Sequence, residues 1–215
     1  MSENYPSAVT SSRYPLRPRK RSRLRILLWC FAGLLVPVLV SVVAGVFWLR
    51  SAAKAALPQL DGNLQLAGLS APVTVRRDAH GVPHIEAGSQ ADLFLAQGYL
   101  TAEERLWQMD TFRRHADGTL AELLGPSLVA HDRMQRVLQI RLTAQRIYDN
   151  LPPDDRARWD QYARGVSLYI AHAEATNSLP VEFKLLMYKP QPWTGVDSVS
   201  VGLMEVQELD FHAET

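Results

Sequence analysis

Cysteine is nearly absent from this chain. Cys30 is the only one in 215 residues, so neither an intrachain disulfide nor a thiolate metal cluster can form. Common catalytic signatures are missing as well. No Gly-x-Ser-x-Gly elbow is there to aim a serine at a histidine. No Gly-rich phosphate loop and no His-Glu-x-x-His pair occurs either. Of the six histidines, His80 and His84 are four apart, but the intervening Gly81 and Pro83 exclude a shared helical face. His84 reads instead as a hydrogen-bonded residue beside a strand.

Charge is missing from one long stretch, Ile26–Leu49, which has no charged side chain in 24 residues. At about 1.5 Å per residue that length crosses a roughly 30 Å hydrocarbon layer. Trp29 and Trp48 stand near its two ends, where amphipathic rings favour the interface. Pro37 within it is tolerable in a membrane helix. Seven basic side chains precede the run within residues 1–25, against Glu3 alone, a balance of +6. With the whole chain at +1, the remaining residues carry −5. Positive charge gathered before an apolar run speaks for a membrane anchor with a cytoplasmic N-terminus and against a nucleic-acid binder. The competing reading is a cleaved signal peptide ending near Val42-Val43-Ala44. The domain plan is a basic cytoplasmic tail (1–25), a transmembrane anchor (26–49), a stalk (50–70) and a folded region (71–215). That folded region is expected to be periplasmic or extracellular.

Beyond the stalk, Val73-Thr74-Val75-Arg76 alternates and predicts a strand. Asp78-Ala79-His80-Gly81 is turn chemistry, and Val82–Ala87 returns as a second strand with Pro83 at its start or at an edge. Ser89 with Asp92 forms one capping box and Thr101 with Glu104 a second, predicting two helix starts. Leu106, Met109, Asp110 and Arg113 then fall on one helical face that Gly118 terminates. Gly98 and Gly118 both read as helix punctuation. Further helices are predicted over 132–150 and 154–175, with Trp159, Tyr162, Val166, Tyr169 and Ile170 on one stripe. Thr194 with Asp197 opens a last helix. The constellation Arg105, Asp110, Arg113 and Arg114 reads either as an exposed face of i, i+4 pairs or as a buried ion-pair network tying helix to sheet. A short β start followed by helices predicts an α+β layered domain.

Five blocks keep order and spacing along residues 70–215: Arg76–Ile85, Gln97–Gly125, Tyr162–Val166, Pro180–Phe183 and Pro190–Thr194. Together they resemble the start of the penicillin acylase family, N-terminal-nucleophile amide hydrolases. The resemblance implies the N-terminal, α-chain part of an αββα sandwich, mostly helical here and preceded by one transmembrane helix. It implies a precursor cut into α and β subunits, with the β subunit from the same precursor as this chain's partner. The nucleophile is the serine at the new N-terminus of β, with its own α-amine as base. Interior serines such as Ser127, Ser167 and Ser198 have no free amine and cannot replace it. By the same resemblance, Met204, Val206, Asp210 and Phe211 correspond to a wall of the acyl pocket. Asp210 departs from the apolar lining expected for a phenylacetyl-type group. A structural calcium would be held mainly by the other subunit, with Glu214 as this chain's nearest carboxylate. Residue 215 falls where such a precursor would still be completing its first subunit. The implied substrate is a small linear amide, a β-lactam side chain or another N-acyl compound. The alternative is a non-catalytic, membrane-anchored binding or assembly module that keeps the α-chain fold.

Overall fold

The computed structural model describes residues 23–213; the side chains of residues 23, 24 and 211–213 are outside that description. The chain divides into two compact units, Met1–Phe47 and Trp48–Thr215. The first contributes most of α1 (Arg23–Ala55), an uninterrupted helix that contains Pro37. Its apolar part is long enough to cross a membrane, with a mean hydropathy of 2.7 and no buried share.

In the second unit, β1 (Thr74–Arg77) and β2 (Pro83–Glu86) pair antiparallel, with Val75 opposite Ile85. The expected turn joins them: Asp78 Oδ1 accepts from the His80 and Val82 amides at 2.9 and 3.0 Å, and Gly81 takes φ 81°. Pro83 opens its strand, where the missing N–H costs no ladder bond.

α2 (Gln90–Asp117) starts where Ser89 caps it and stops at Gly118, whose φ of 63° is left-handed. The second start expected at Thr101 does not exist. The helix runs through that residue because its hydroxyl turns back onto the Gln97 carbonyl at 2.8 Å, which relieves it of a capping role. The irregularity lies four residues later, at Arg105, with φ −138° and ψ 19°.

The single helix expected over 132–150 is two: α4 (Val129–Leu138) and α5 (Ile140–Asp149). Gln139 between them sits at φ 54°, closing α4 through its N–H to the Gln135 carbonyl and opening α5 with its own carbonyl to the Thr143 amide. The short helix α3 (Ala121–Leu124) and a 3-10 turn precede them. α6 (Pro153–Ala175), α7 (Val181–Leu185) and α8 (Gly195–Ala213) complete the order.

The core forms where α2 crosses α6. Tyr99, Leu106 and Met109 interleave with Val166, Tyr169 and Ile170, and Phe183 and Trp193 close one side. Tyr99 meets Tyr169 edge-on at 5.5 Å between centroids. Of the stripe read from α6, Val166, Tyr169 and Ile170 are buried, Tyr162 is half-buried and Trp159 is exposed. Gly98 is not punctuation. A Cβ there would stand 2.0 Å from the Tyr162 carbonyl oxygen, and one at Gly165 2.0 Å from the Leu95 carbonyl oxygen. The two glycines bring the backbones of α2 and α6 into contact, and that contact sets the crossing.

Candidate functional site

The expected charged constellation exists, but it binds helix to loop rather than helix to sheet. Asp110 is completely buried. Its carboxylate pairs with Arg113 and Arg114 on its own helix, the latter at 3.1 Å, and accepts the hydroxyl of Tyr188. Arg113 continues outward: Nη1 donates to the carbonyls of Gln191 and Pro192 at 3.3 and 3.2 Å, and its guanidinium lies 5.1 Å over the Trp193 ring. Arg114 stacks in the same way on Tyr188, 5.0 Å from ring centre. Burial and then the bond to Asp110 push the Tyr188 phenol well above its usual range. Arg105 stands apart, exposed at the kink. The hairpin has its own tie, Arg77 to Glu104 and, at 3.9 Å, to Glu103.

The loop held by Arg113 leads directly into α8. Asp197 Oδ2 accepts from the amide and hydroxyl of Thr194, both at 2.7 Å, which is the expected capping box. The same carboxylate pairs with Arg141 on α5 and lies 3.8 Å from Arg113. Beside it, burial raises the pKa of Asp117 against the pull of Arg141. The start of α8 is thus fixed to α2 and α5 by charge, and by Gly195, whose Cβ position lies 2.4 Å from the Tyr148 ring.

Ser167 and Ser198 are structurally engaged. Ser167 Oγ accepts from the Trp193 amide at 2.9 Å and lies 3.1 Å from the Trp193 carbonyl, while Ser198 Oγ accepts from the indole N–H at 2.8 Å. Ser127 lies exposed in the 3-10 turn. Neither Ser167 nor Ser198 has a histidine among its hydrogen-bond partners.

The residues expected to wall an acyl pocket lie on α8 but do not share one face. Met204 is buried at 3% exposure, whereas Val206 and Asp210 are exposed. At about 100° per residue, Val206 and Asp210 project together and Met204 projects nearly opposite. The Phe211 side chain and the whole of Glu214 are outside the described residues. Among the described residues no group of three or more His, Cys, Asp or Glu side chains is arranged to hold a metal.

Several polar contacts left no pattern that sequence reading could pick up. Asp92 caps α2 but also takes the amide and hydroxyl of Ser70, the amide at 2.8 Å. Those two Ser70 bonds, with the Ser89 hydroxyl, hold its pKa low. Asp132 accepts the Leu120 and Ala121 amides at 3.1 and 2.8 Å. His115 meets His131 with Nε2 atoms 3.2 Å apart, and Glu208 on α8 lies 3.4 Å away. His84 is hydrogen-bonded as expected, 3.4 Å from Asp78, but it sits within β2, opposite Arg76, and not beside the strand.

α4 is inverted relative to an ordinary surface helix. It buries Asp132 and Gln135 at 6% and 3% exposure and leaves Met134 and Val137 at 58% and 77%. Among the described residues its apolar face is exposed, and Leu142 and Ile147 on α5 are likewise exposed.

Comparison with known proteins gives this scaffold its family. The penicillin amidase family model matches residues 72–214. Penicillin acylase 2 proenzyme of Pseudomonas sp. strain SE83 is 39% identical over 152 residues, 71% of this chain and 19% of that protein. Acyl-homoserine lactone acylase QuiP of Pseudomonas aeruginosa is 34% identical over 178 residues, 83% of this chain and 21% of that protein. The chain thus spans about a fifth of the length of these curated relatives. The solved thermostable penicillin G acylase of Alcaligenes faecalis superposes with a TM-score of 0.58 at 34% identity, covering 62% of this chain and 71% of that chain. That solved chain is therefore similar in length to this one, unlike the proenzyme. The match runs through the crossing glycines, the Asp110 network and the Trp193 loop, and this chain belongs to the penicillin amidase family.

Proposed function

We propose that this chain is the scaffold portion of a penicillin-acylase-like amidohydrolase, whose nucleophile lies in a second polypeptide segment of the same precursor. The reaction is hydrolysis of a linear amide R–CO–NH–R′. A serine freed at the N-terminus of the second segment adds its Oγ to the carbonyl carbon, and its own α-amine takes the hydroxyl proton. Collapse of the tetrahedral adduct breaks the C–N bond, and the departing amine receives that proton. Water then cleaves the acyl-enzyme, restoring the serine and releasing the acid.

The observation that carries this reading is the family match over residues 72–214, shared with relatives named as acylases of penicillins and of homoserine lactones. Both names point to an acyl–nitrogen bond; the acyl group is left open between them. In this reading the serines at the described positions stay chain-interior, and the amine-activated nucleophile is supplied by the second segment. The inverted α4 supports a packing partner, because four apolar residues in water are a liability that burial against the second segment would remove. On α8, the exposed Val206 and Asp210 are our assignment for this chain's share of the acyl pocket, with Phe211 following them. Met204 supports the helix from behind. A structural calcium would belong mainly to the second segment, with Glu214 as this chain's contribution. No step of the chemistry runs through it.

We further assign α1 as an uncleaved membrane anchor. The basic segment before it stays cytoplasmic, and the domain after it faces the periplasm or the cell exterior. The test of function is to read the gene beyond codon 215 and express the whole frame. An internal serine whose replacement by Ala abolishes both chain cleavage and amide hydrolysis supports the reading. Amide hydrolysis that survives every such replacement defeats it.

A further inference from the structure

A polar hollow of about 300 Å³ lies between the segment at Gln59, α2 and the C-terminal end of α6. Tyr99, Glu103, Tyr169, His172, Thr176 and Ser178 form its polar wall. Among the described residues Glu103 is the one carboxylate that lines it, and no Lys or Arg does. The Glu103 side chain is only 10% exposed. Its Oε1 accepts the Gln59 amide at 3.1 Å. Its Oε2 faces Arg77 at 3.9 Å, beyond hydrogen-bond distance, and that guanidinium already serves Glu104 and the Gly81 carbonyl. A carboxylate held this far from water ordinarily has a hydrogen-bonded counter-ion.

The two tyrosines repeat the pattern. Both are 4% exposed, and neither phenol has a hydrogen-bond partner among the described residues. A buried tyrosine hydroxyl usually finds one. Burial, and then the nearby Glu103 carboxylate, pushes both phenols up to about 12. At neutral pH they therefore stay protonated, each able to donate and to accept. Thr176 and Ser178 add two more hydroxyls, with their Oγ atoms 2.8 Å apart. The hollow thus gathers one negative charge and several hydroxyl oxygens that the protein itself does not satisfy.

We propose that this hollow binds a small primary ammonium compound, with its charged group on Glu103 Oε2 and its remaining N–H bonds directed to the phenol and hydroxyl oxygens. The composition of the wall selects that class. One carboxylate balances one positive charge, whereas a divalent cation takes six or so oxygens and usually several carboxylates. An ammonium group brings three donors to oxygens that lack them. With no Lys or Arg in the wall, a phosphate or carboxylate on the same ligand would have no cation to pair with, which disfavours zwitterions. Burial raises the pKa of Glu103 while the Gln59 amide and Arg77 pull it down; a bound ammonium adds to the downward pull and keeps the carboxylate ionised. Such a ligand would tie the Gln59 segment to α2 and to the end of α6.

The test is calorimetric titration of the full chain in detergent micelles with ethylammonium chloride near neutral pH, against sodium chloride at equal ionic strength. The expected result is saturable one-to-one binding, at least about tenfold weaker in Glu103→Gln, which keeps the shape of the side chain and loses its charge. Circular dichroism checks the fold of that variant. The double variant Tyr99→Phe/Tyr169→Phe removes hydroxyls that bond nothing among the described residues, so its fold should stand. It should weaken binding by about threefold or more. Glycine, which adds a carboxylate, and tetramethylammonium, which has no N–H, should both bind more weakly than ethylammonium. Absence of saturable ethylammonium binding to the native chain overturns the site. Undiminished binding to the double phenylalanine variant overturns it too, whether or not Glu103→Gln folds, as does equal binding of tetramethylammonium.

Discussion

Replacing Gly165 by alanine adds one methyl group to the middle of a helix, which on propensity alone should stabilise the fold by up to about 1 kcal/mol. The structure predicts the opposite sign. The new Cβ would stand 2.0 Å from the Leu95 carbonyl oxygen and 2.8 Å from the Tyr99 amide nitrogen, and both atoms are helix backbone. A side chain could rotate away; a helix must move as a body. Overpacking costs about 1–3 kcal/mol, and a backbone clash belongs at or above the upper figure. Set against the propensity gain, the net loss is about 2 kcal/mol. At about 2–4 °C per kcal/mol for a unit of this size, Tm should fall by roughly 4–8 °C. Gly202 on α8 is the internal control, because its Cβ position meets nothing within 4 Å. Gly202→Ala should leave Tm unchanged or raise it slightly. Both are read by thermal unfolding of the chain, followed by circular dichroism under matched conditions. A Gly165→Ala variant as stable as Gly202→Ala would refute the claim that glycine contact sets the α2–α6 crossing.

Three further outcomes follow from the charge and packing of the site. Asp110→Asn removes the nearest carboxylate of the buried Arg113 and the partly buried Arg114, leaving them Asp197 at 3.8 Å and Glu122 at 3.6 Å, and should destabilise by about 3 kcal/mol in denaturant unfolding, whereas Tyr188→Phe should cost only about 1 kcal/mol. Burial first, then the neighbouring His131, holds the pKa of His115 below its ordinary value, while Glu208 and Asp132 pull the other way. Because the unfolded chain then binds the proton more readily, this contribution is complete above about pH 6.5 and is lost as pH falls from there toward the lower folded value. A stability profile in which His115→Gln does not flatten that acid-side decline would contradict the assignment. Val137→Lys should change the stability of this chain by no more than about 0.5 kcal/mol, because the side chain is exposed. In the whole precursor the same substitution should impair assembly, read as loss of co-purifying second segment.

The elements with local chemistry were legible in the sequence. The hairpin turn at Asp78–Gly81, the caps at Ser89 and Thr194, and the stop at Gly118 all follow from short-range hydrogen bonding that the residue types dictate. What escaped is non-local. Thr101 looked like a cap because sequence cannot show that its hydroxyl prefers the carbonyl one turn back. Gly98 and Gly165 are far apart in sequence, and only the crossing reveals that each makes room for the other helix. The break at Gln139 had no glycine or proline to announce it. Within the charged cluster, Asp110 and Arg113 were visible as a helical pair. Tyr188 and the carbonyls of Gln191 and Pro192 were not, since nothing local marks a loop that folds back nearly eighty residues later. Burial separated the expected pocket residues: Met204 and Val206 differ by two positions, which on a helix means nearly opposite faces.

The central claim, that this chain supplies scaffold and not nucleophile to an acylase, is tested most directly by one turnover measurement. The purified chain is assayed for release of amine from an N-acyl substrate, first alone and then with the polypeptide encoded beyond codon 215. The account predicts no turnover from the chain alone and turnover once the second polypeptide is present. Turnover by the chain alone, abolished by replacing one of its own interior serines, would contradict it.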